Sequence, residues 1–365
     1  MKNNYNKFVV IIMALLVATI SLACIFTPLK DYSDSERRKL ATMPKFNLKN
    51  VLNTSFMTDF EDYALDQFIF RDNFRALKSF SELFIFNKED VNKLYVKDGY
   101  LSKLEYPLSM KDINHASSKF KFIYDKYLSE NNHQIYLSIV PDKNYFLADD
   151  KLSLDYQSLI DEVTTKNEFM TYIDITKDLS IDDYYHSDTH WRQENIVKIA
   201  KHIADSLGVT VDEDYEKVLA TNDFKGVFEG QIALDIVDDE LYYLTNDKLQ
   251  DFIVTKNDGN GPKEIPLYNL DKANDKDPYE LFAGGNSAII EITNPHATND
   301  KELIIFRDSF TSSLAPLLAS GYAKTTLVDI RYIQSNLIEN YLEFNDQDIL
   351  FLYSTLLLNN SVSLK

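Results

Sequence analysis

Two short segments hold residue types that suit acyl-transfer chemistry. The first, Tyr184-Tyr185-His186-Ser187-Asp188-Thr189-His190-Trp191, gathers two of the six histidines, an aspartate and the only tryptophan. An Asp two positions before a His can hold the imidazole through one ring nitrogen and leave the other free to take a proton. The second, Phe306-Arg307-Asp308-Ser309-Phe310, lies where an apolar run (302–306) gives way to a helical pattern (311–320). A Ser at such a turn is presented at the top of a sheet, beside helix N-terminal amides that can bind an oxyanion. Blander roles compete, because Asp and Ser are also favoured helix caps, which suffices for Asp308-Ser309 and for Asp188-Thr189.

Metal binding is a further alternative, since His186-x-Asp188-x-His190 could supply three N or O ligands. Alternate residues point one way only in an extended strand, however, and no other His/Asp/Glu cluster completes the set. No metal or cofactor is expected. An oxyanion hole needs donors besides the Ser309 amide. Gly284-Gly285-Asn286 is the candidate, with the Gly285 backbone and the Asn286 amide as donors, or else a plain Gly-Gly turn. Arg307 and Trp191 are candidate substrate contacts: Trp191 either offers a stacking face to a sugar or packs beneath the His190 loop.

Strands and helices must position these segments. A helix carrying Ile113, Phe120, Ile123, Tyr124 and Tyr127 precedes the apolar run Ile135–Val140, and another near 153–166 precedes Tyr172-Ile173-Asp174-Ile175. A third places Ile196, Ile199, Ala200, Ile203 and Leu207 on one face and stops at Gly208. Strands at 288–292 and 303–306, a helix at 311–320, a strand at 325–330, a helix at 334–344 and a strand at 348–353 continue the alternation. The fold class is α/β, a parallel sheet with helices on both faces, whose ligands bind beyond the carboxyl ends of the strands. Residues 209–285 interrupt it, and Ile232, Leu234 and Ile236 at a spacing of two suggest a β-rich insertion. Upstream, Asp98-Gly99 between short apolar runs predicts a tight hairpin. Phe56, Phe60, Tyr63, Ala64 and Phe68 predict a long amphipathic helix over 55–85 with its aromatic stripe in the core.

The N-terminus sets the compartment. Phe8–Phe26 carries no charge and is long enough to cross a bilayer, whereas a cleaved signal has an apolar region of about 7–15 residues. An uncleaved anchor is expected, with Ser21-Leu22-Ala23 the cleavage site in the secreted alternative. Lys2 and Lys7 place the rest of the chain outside the cytoplasm. The organisation is thus an anchor over 1–30, a polar stalk over 31–53 and a catalytic domain over 54–365, with an N-terminal helical and hairpin extension (54–108). Every acidic residue follows Lys30, the net charge is −19, and there is no basic stripe, so nucleic acid is excluded as a partner. Cys24 alone permits no internal disulfide.

An ordered series of motifs makes the sequence more specific. It runs from Glu36-Arg37-Arg38-Lys39-Leu40-Ala41-Thr42-Met43-Pro44 through Asp66-Gln67-Phe68, Phe70-Arg71-Asp72, Lys97-Asp98-Gly99-Tyr100-Leu101 and Val140-Pro141-Asp142-Lys143. Asp188-Thr189-His190-Trp191, Gly284-Gly285-Asn286 and Arg307-Asp308-Ser309-Phe310 complete it. The series resembles the DHHW family of exported bacterial proteins, relatives of the alginate O-acetyltransferases in the SGNH-hydrolase-like superfamily. The resemblance implies a flavodoxin-like fold and a Ser-His-Asp triad: Ser309 as nucleophile, His190 as general base and Asp188 as its orienting partner. Thr189 replaces the first His of the name-giving motif, which keeps the Asp-x-His spacing. Arg307 stands where ordinary SGNH enzymes have Gly before Asp-Ser, which puts the tightness of that loop in question. The implied activity is O-acetylation of a cell-surface or secreted polysaccharide, the acetyl group arriving through a membrane-bound O-acyltransferase. An acetylesterase with the same triad and a non-catalytic polysaccharide-binding or scaffold component are the alternatives.

Overall fold

Runs with no polar side, such as Leu303-Ile304-Ile305-Phe306 and Ile349-Leu350-Phe351-Leu352, form strands that must be covered on both faces. The computed structural model describes residues 2–130, 133–148 and 151–365, and it divides into two units: residues 1–91 with 230–235, and residues 92–229 with 236–365.

The larger unit is built on an eight-stranded sheet. Its strands are β1 (Ile135–Val140), β2 (Thr171–Tyr172), β3 (Ile253–Asn257), β4 (Lys263–Ile265), β5 (Ile289–Thr293), β6 (Glu302–Arg307), β7 (Lys324–Val328) and β8 (Asp348–Ser354), in the order β4-β3-β5-β7-β6-β8-β1-β2. The five strands β7-β6-β8-β1-β2 are parallel, and β5, β3 and β4 extend them antiparallel. Alternate residues serve opposite cores. Leu303, Ile305, Leu350 and Leu352 pack with the helices Val197–Leu207 and Thr311–Ala319, whereas Ile304, Phe306, Ile349 and Phe351 pack with Met110–Ile123 and Tyr156–Lys166. The expected α/β sheet is thus present, and part of the interrupting segment joins it as β3 and β4. Ile232, Leu234 and Ile236 form no strand, because Val227–Ile232 is a short helix. The helix expected over 334–344 is only a 3-10 turn, Ser335–Asn340. Asp98 and Gly99, at φ 51° and 84°, form the tight turn joining Leu94–Lys97 to Tyr100–Lys103.

In the smaller unit, the helix Lys2–Phe26 contains a stretch, Tyr5–Phe26, long and apolar enough for a single-pass anchor or a signal sequence. The helix expected over 55–85 is broken into Ser55–Asp66, Arg71–Phe80 and a π turn, Ser81–Ile85, with Phe70 in the left-handed region at φ 56°. Its aromatic stripe is not core: Phe60 and Phe68 are 40% and 37% exposed, and Asp66 is the buried residue of its helix. Asp66 accepts two hydrogen bonds from Arg38 (2.8 and 2.6 Å) and one from the Ala41 amide (2.9 Å). Glu36 pairs with Arg71 at 2.6 Å. Residues 31–53, read above as a stalk, are therefore tied back by their charges.

Candidate active site

The segment 184–191 doubles back on itself, with Tyr184 bridged to Trp191 and the Tyr185 amide donating to the His190 carbonyl. The turn separates the residues that an extended strand would align. Asp188 Oδ1 takes the His190 amide at 3.0 Å and lies 2.6 Å from His190 Nδ1. His190 Nε2 lies 2.8 Å from Ser309 Oγ, in the turn between β6 and the helix Thr311–Ala319. With Nδ1–H donating to the carboxylate, Nε2 is left to accept the Ser309 hydroxyl proton. Asp188 is fully buried and His190 is 8% exposed. The ring of Tyr279 stacks on the imidazole at 3.8 Å and 4°, and Phe310 flanks it at 5.0 Å.

The supports of this line come from distant parts of the chain. Asp188 Oδ2 accepts the Val227 amide at 2.7 Å, and the Ser187 hydroxyl accepts the Gly226 amide at 3.1 Å. A Cβ on Gly226 would lie 2.2 Å from the Ser187 carbonyl carbon and 2.4 Å from the Asp188 nitrogen, so only glycine fits. Buried Asp239 accepts the Ser187 amide (2.6 Å) and hydroxyl (2.7 Å) and Arg192 (2.5 Å), with His186 Nδ1 at 3.1 Å. Burial pushes its carboxyl up, but the bonds from His186 and Ser187 and the Arg192 charge outweigh it and hold it below the usual range. Lys143, fully enclosed, donates to the carbonyls of Tyr185 (2.9 Å) and His186 (3.0 Å). Burial lowers it to about 7 against the opposing pull of Asp188 and Asp239.

Several sequence expectations are revised here. Trp191 has no exposed surface, and its indole N–H donates to the Phe310 carbonyl (2.9 Å) and Ser313 Oγ (3.0 Å). It braces the helix behind Ser309 and has no face for a sugar. Arg307 is 1% exposed and donates to Ser312 Oγ (2.7 Å) and the Gly285 carbonyl (2.9 Å), so it too is enclosed and ties the Ser309 turn to the Gly284-Gly285 turn. The Gly285 amide donates to the Phe282 carbonyl (3.0 Å), which engages it fully, and the exposed Asn286 side chain turns one of its two N–H groups to Glu280 (2.9 Å). Gly284 and Gly285, at φ 73° and 59°, form a turn. Asp308 holds the Phe310 amide (3.1 Å) and the Ser354 amide of β8 (2.7 Å), while the Ser309 hydroxyl faces His190. His186 is stacked on Tyr100 at 4.3 Å and directed at Asp239, not at the Asp188–His190 pair. Gly226, Val227, Asp239 and Tyr279 were not singled out from sequence, and Lys143 stood there only as the last residue of the Val140–Lys143 motif.

No protein-family model matches the sequence, and neither does any curated protein. Solved structures do. A DHHW family protein from Eubacterium siraeum superposes with TM-score 0.60 at 18% identity, covering 75% of this chain and 95% of that one. The chain has the fold of a DHHW family protein. Bacillus cereus PatB1, in a structure with a sulfonyl adduct, shares this DHHW-type fold at TM-score 0.61 and 20% identity, over 73% of this chain and 97% of PatB1. The O-acetyltransferase domain of Pseudomonas putida AlgJ aligns more loosely, at TM-score 0.43 and 13% identity, over 73% and 92%.

Proposed function

We propose that the protein is an extracytoplasmic O-acetyltransferase that acetylates hydroxyls of a cell-surface or secreted polysaccharide through an acetyl-serine intermediate. The observation that supports this reading is the continuous hydrogen-bonded line Asp188–His190–Ser309 beyond the carboxyl end of β6. Ser309 Oγ gives its proton to His190 Nε2 and attacks the acyl carbonyl of the donor, and the donor's leaving oxygen departs with that proton. A sugar hydroxyl then gives its proton to His190 and attacks the acetyl-serine carbonyl, and Ser309 leaves reprotonated. Every proton taken is returned. The Ser309 amide, at the start of the turn into Thr311–Ala319, would donate to the developing oxyanion. Asp188 and the stacked Tyr279 ring both favour the transient imidazolium. Delivery of acetyl by a membrane-bound O-acyltransferase rests on the family resemblance alone.

The test is to incubate the full chain with a chromogenic acetyl ester, find the acetyl group by peptide mass mapping, and chase with oligosaccharide or with buffer. One acetyl on Ser309, discharged faster by the oligosaccharide, is expected. Discharge at the same rate in buffer would make the protein an esterase, and a folded chain that never acylates at Ser309 would overturn the catalytic reading.

A further inference from the structure

The helix Arg71–Phe80 is amphipathic with its sides reversed. Phe70, Phe74 and Leu77 recur at helical spacing, Phe80, Phe84 and Ile85 extend the row through the π turn, and these six are 68, 51, 58, 48, 56 and 61% exposed. Within the row Phe80 meets Phe84 at 5.2 Å, and Phe68, itself 37% exposed, adjoins it through Phe74 at 5.6 Å. The side turned inward is polar. Arg71 pairs with Glu36, Arg75 donates to the carbonyls of Gly230 (3.0 Å) and Gln231 (2.8 Å), and Ser79 is 2% exposed. Glu36 is held below the usual carboxylate range, since the Arg71 hydrogen bond and the charges of Arg75, Arg71 and Arg38 outweigh its burial.

In water this arrangement is backwards, because each Å² of exposed apolar surface forgoes about 25 cal/mol. The same unit indicates what covers it. The apolar stretch ends at Phe26, and Lys30 exchanges two hydrogen bonds with Gln67, its amide donating to Oε1 (3.0 Å) and its carbonyl accepting from Nε2 (2.9 Å). Four residues reach at most about 14 Å, so the chain leaving the bilayer is fastened to the residue that leads into the row. We propose that the row from Phe70 to Ile85 lies in the interfacial layer of the bilayer that Tyr5–Phe26 spans, its rings among the upper acyl chains. This inference rests on the reading of Tyr5–Phe26 as a retained span and goes beyond acetyl transfer, which needs no such contact.

The full chain carrying Phe74→Trp, reconstituted in phosphatidylcholine vesicles with acyl chains brominated near the headgroup, reads this directly. The native Trp191 lies buried in the other unit and gives a constant background. Phe74→Trp should lose most of its added emission relative to unbrominated vesicles, while Asp72→Trp, at an exposed position on the polar side of the same helix, should keep its emission. Equal, unquenched emission from both would overturn the inference. So would blue-shifted but unquenched emission from Phe74→Trp, which would mean that a protein partner or a second copy covers the row. The intact mass of the reconstituted protein tests the retained span separately. If residues 1–26 prove to be removed, that reading falls, and quenching of the released Phe74→Trp chain added to the same vesicles still decides whether the row enters lipid.

Discussion

Two helices of similar length use amphipathicity in opposite directions. Val197–Leu207 buries Ile199, Ala200, Ile203, Ala204 and Leu207 against the sheet, whereas Arg71–Phe80 buries Ser79 and exposes Phe74, Leu77 and Phe80. The first is stabilised by removing its apolar stripe from water. The second is held by ion pairs and carbonyl bonds on its polar side, and its apolar side is left for another medium. An apolar stripe therefore records that a helix has two sides, and the surroundings decide which one faces inward.

If the comparison is right, chemistry and membrane contact belong to different units and can be separated by substitution. The largest effect is expected from Ser309→Ala and His190→Ala, each cutting acetyl-ester turnover by ~10³-fold or more because such residues act as a unit, with lipid quenching at position 74 unchanged. A loss below tenfold in a folded variant would remove the residue from the chemistry. Next comes the buried stripe: Ile203→Ala should cost about 2–5 kcal/mol in urea unfolding. Gly226→Ala should lower kcat/KM by about 10²-fold through displacement of the Asp188 loop, as a 1 Å misplacement commonly does. Unaltered kcat/KM would mean that the loop is not held from that side.

The two units also enclose carboxylates with opposite signatures. Burial pushes Asp142 up to about 6 from 3.8, so the folded chain keeps a proton that the unfolded chain releases. Its contribution is full below 3.8 and is lost as pH rises through about 6. Asp66 is held below 3.8, by the Arg38 hydrogen bond above all, and its contribution is present above that pH and lost as the pH falls through the lowered value. Melting curves of Asp142→Asn should gain on the wild type from pH 4 to 7, whereas those of Asp66→Asn should trail it by a constant margin over that range and close the gap only below pH 3.8. The smallest effect sharpens the comparison most: Leu77→Ala in detergent should stay within about 0.5 kcal/mol of the wild type, against the much larger loss for Ile203→Ala.

The sheet was legible because runs such as 303–306 and 349–352 admit no other covering, and the Asp188-His190 and Ser309 segments because their residue types are rare together. The clamp on Asp188 was not, since Gly226, Val227 and Asp239 lie some forty to fifty positions away and reach it through backbone and buried carboxylate bonds. Gly226 left one faint signal, as a chain of 365 residues has only nine glycines. Trp191 stayed open between a sugar contact and a brace beneath the loop, because an aromatic beside a candidate base reads alike whether it faces substrate or core, and its burial decides for the brace. Gly285 and Asn286 suited an oxyanion hole by type but had closer partners in Phe282 and Glu280. The orientation of 71–85 could not be read at all, as periodicity carries no sign.

The parallel Tyr279 ring, 3.8 Å above His190, makes the imidazole observable as well as fixed. Protons bound to the ring carbons of His190 sit in the shielding cone of the phenol, so their NMR resonances move upfield, away from those of the other histidines except His186, which stacks on Tyr100 at 4.3 Å. Spectra of a His186→Gln variant tell the two displaced rings apart. Acylation of Ser309 removes the hydroxyl proton that Nε2 accepts while the stacked ring stays in place, so one resonance would follow the loading and discharge of the serine in real time.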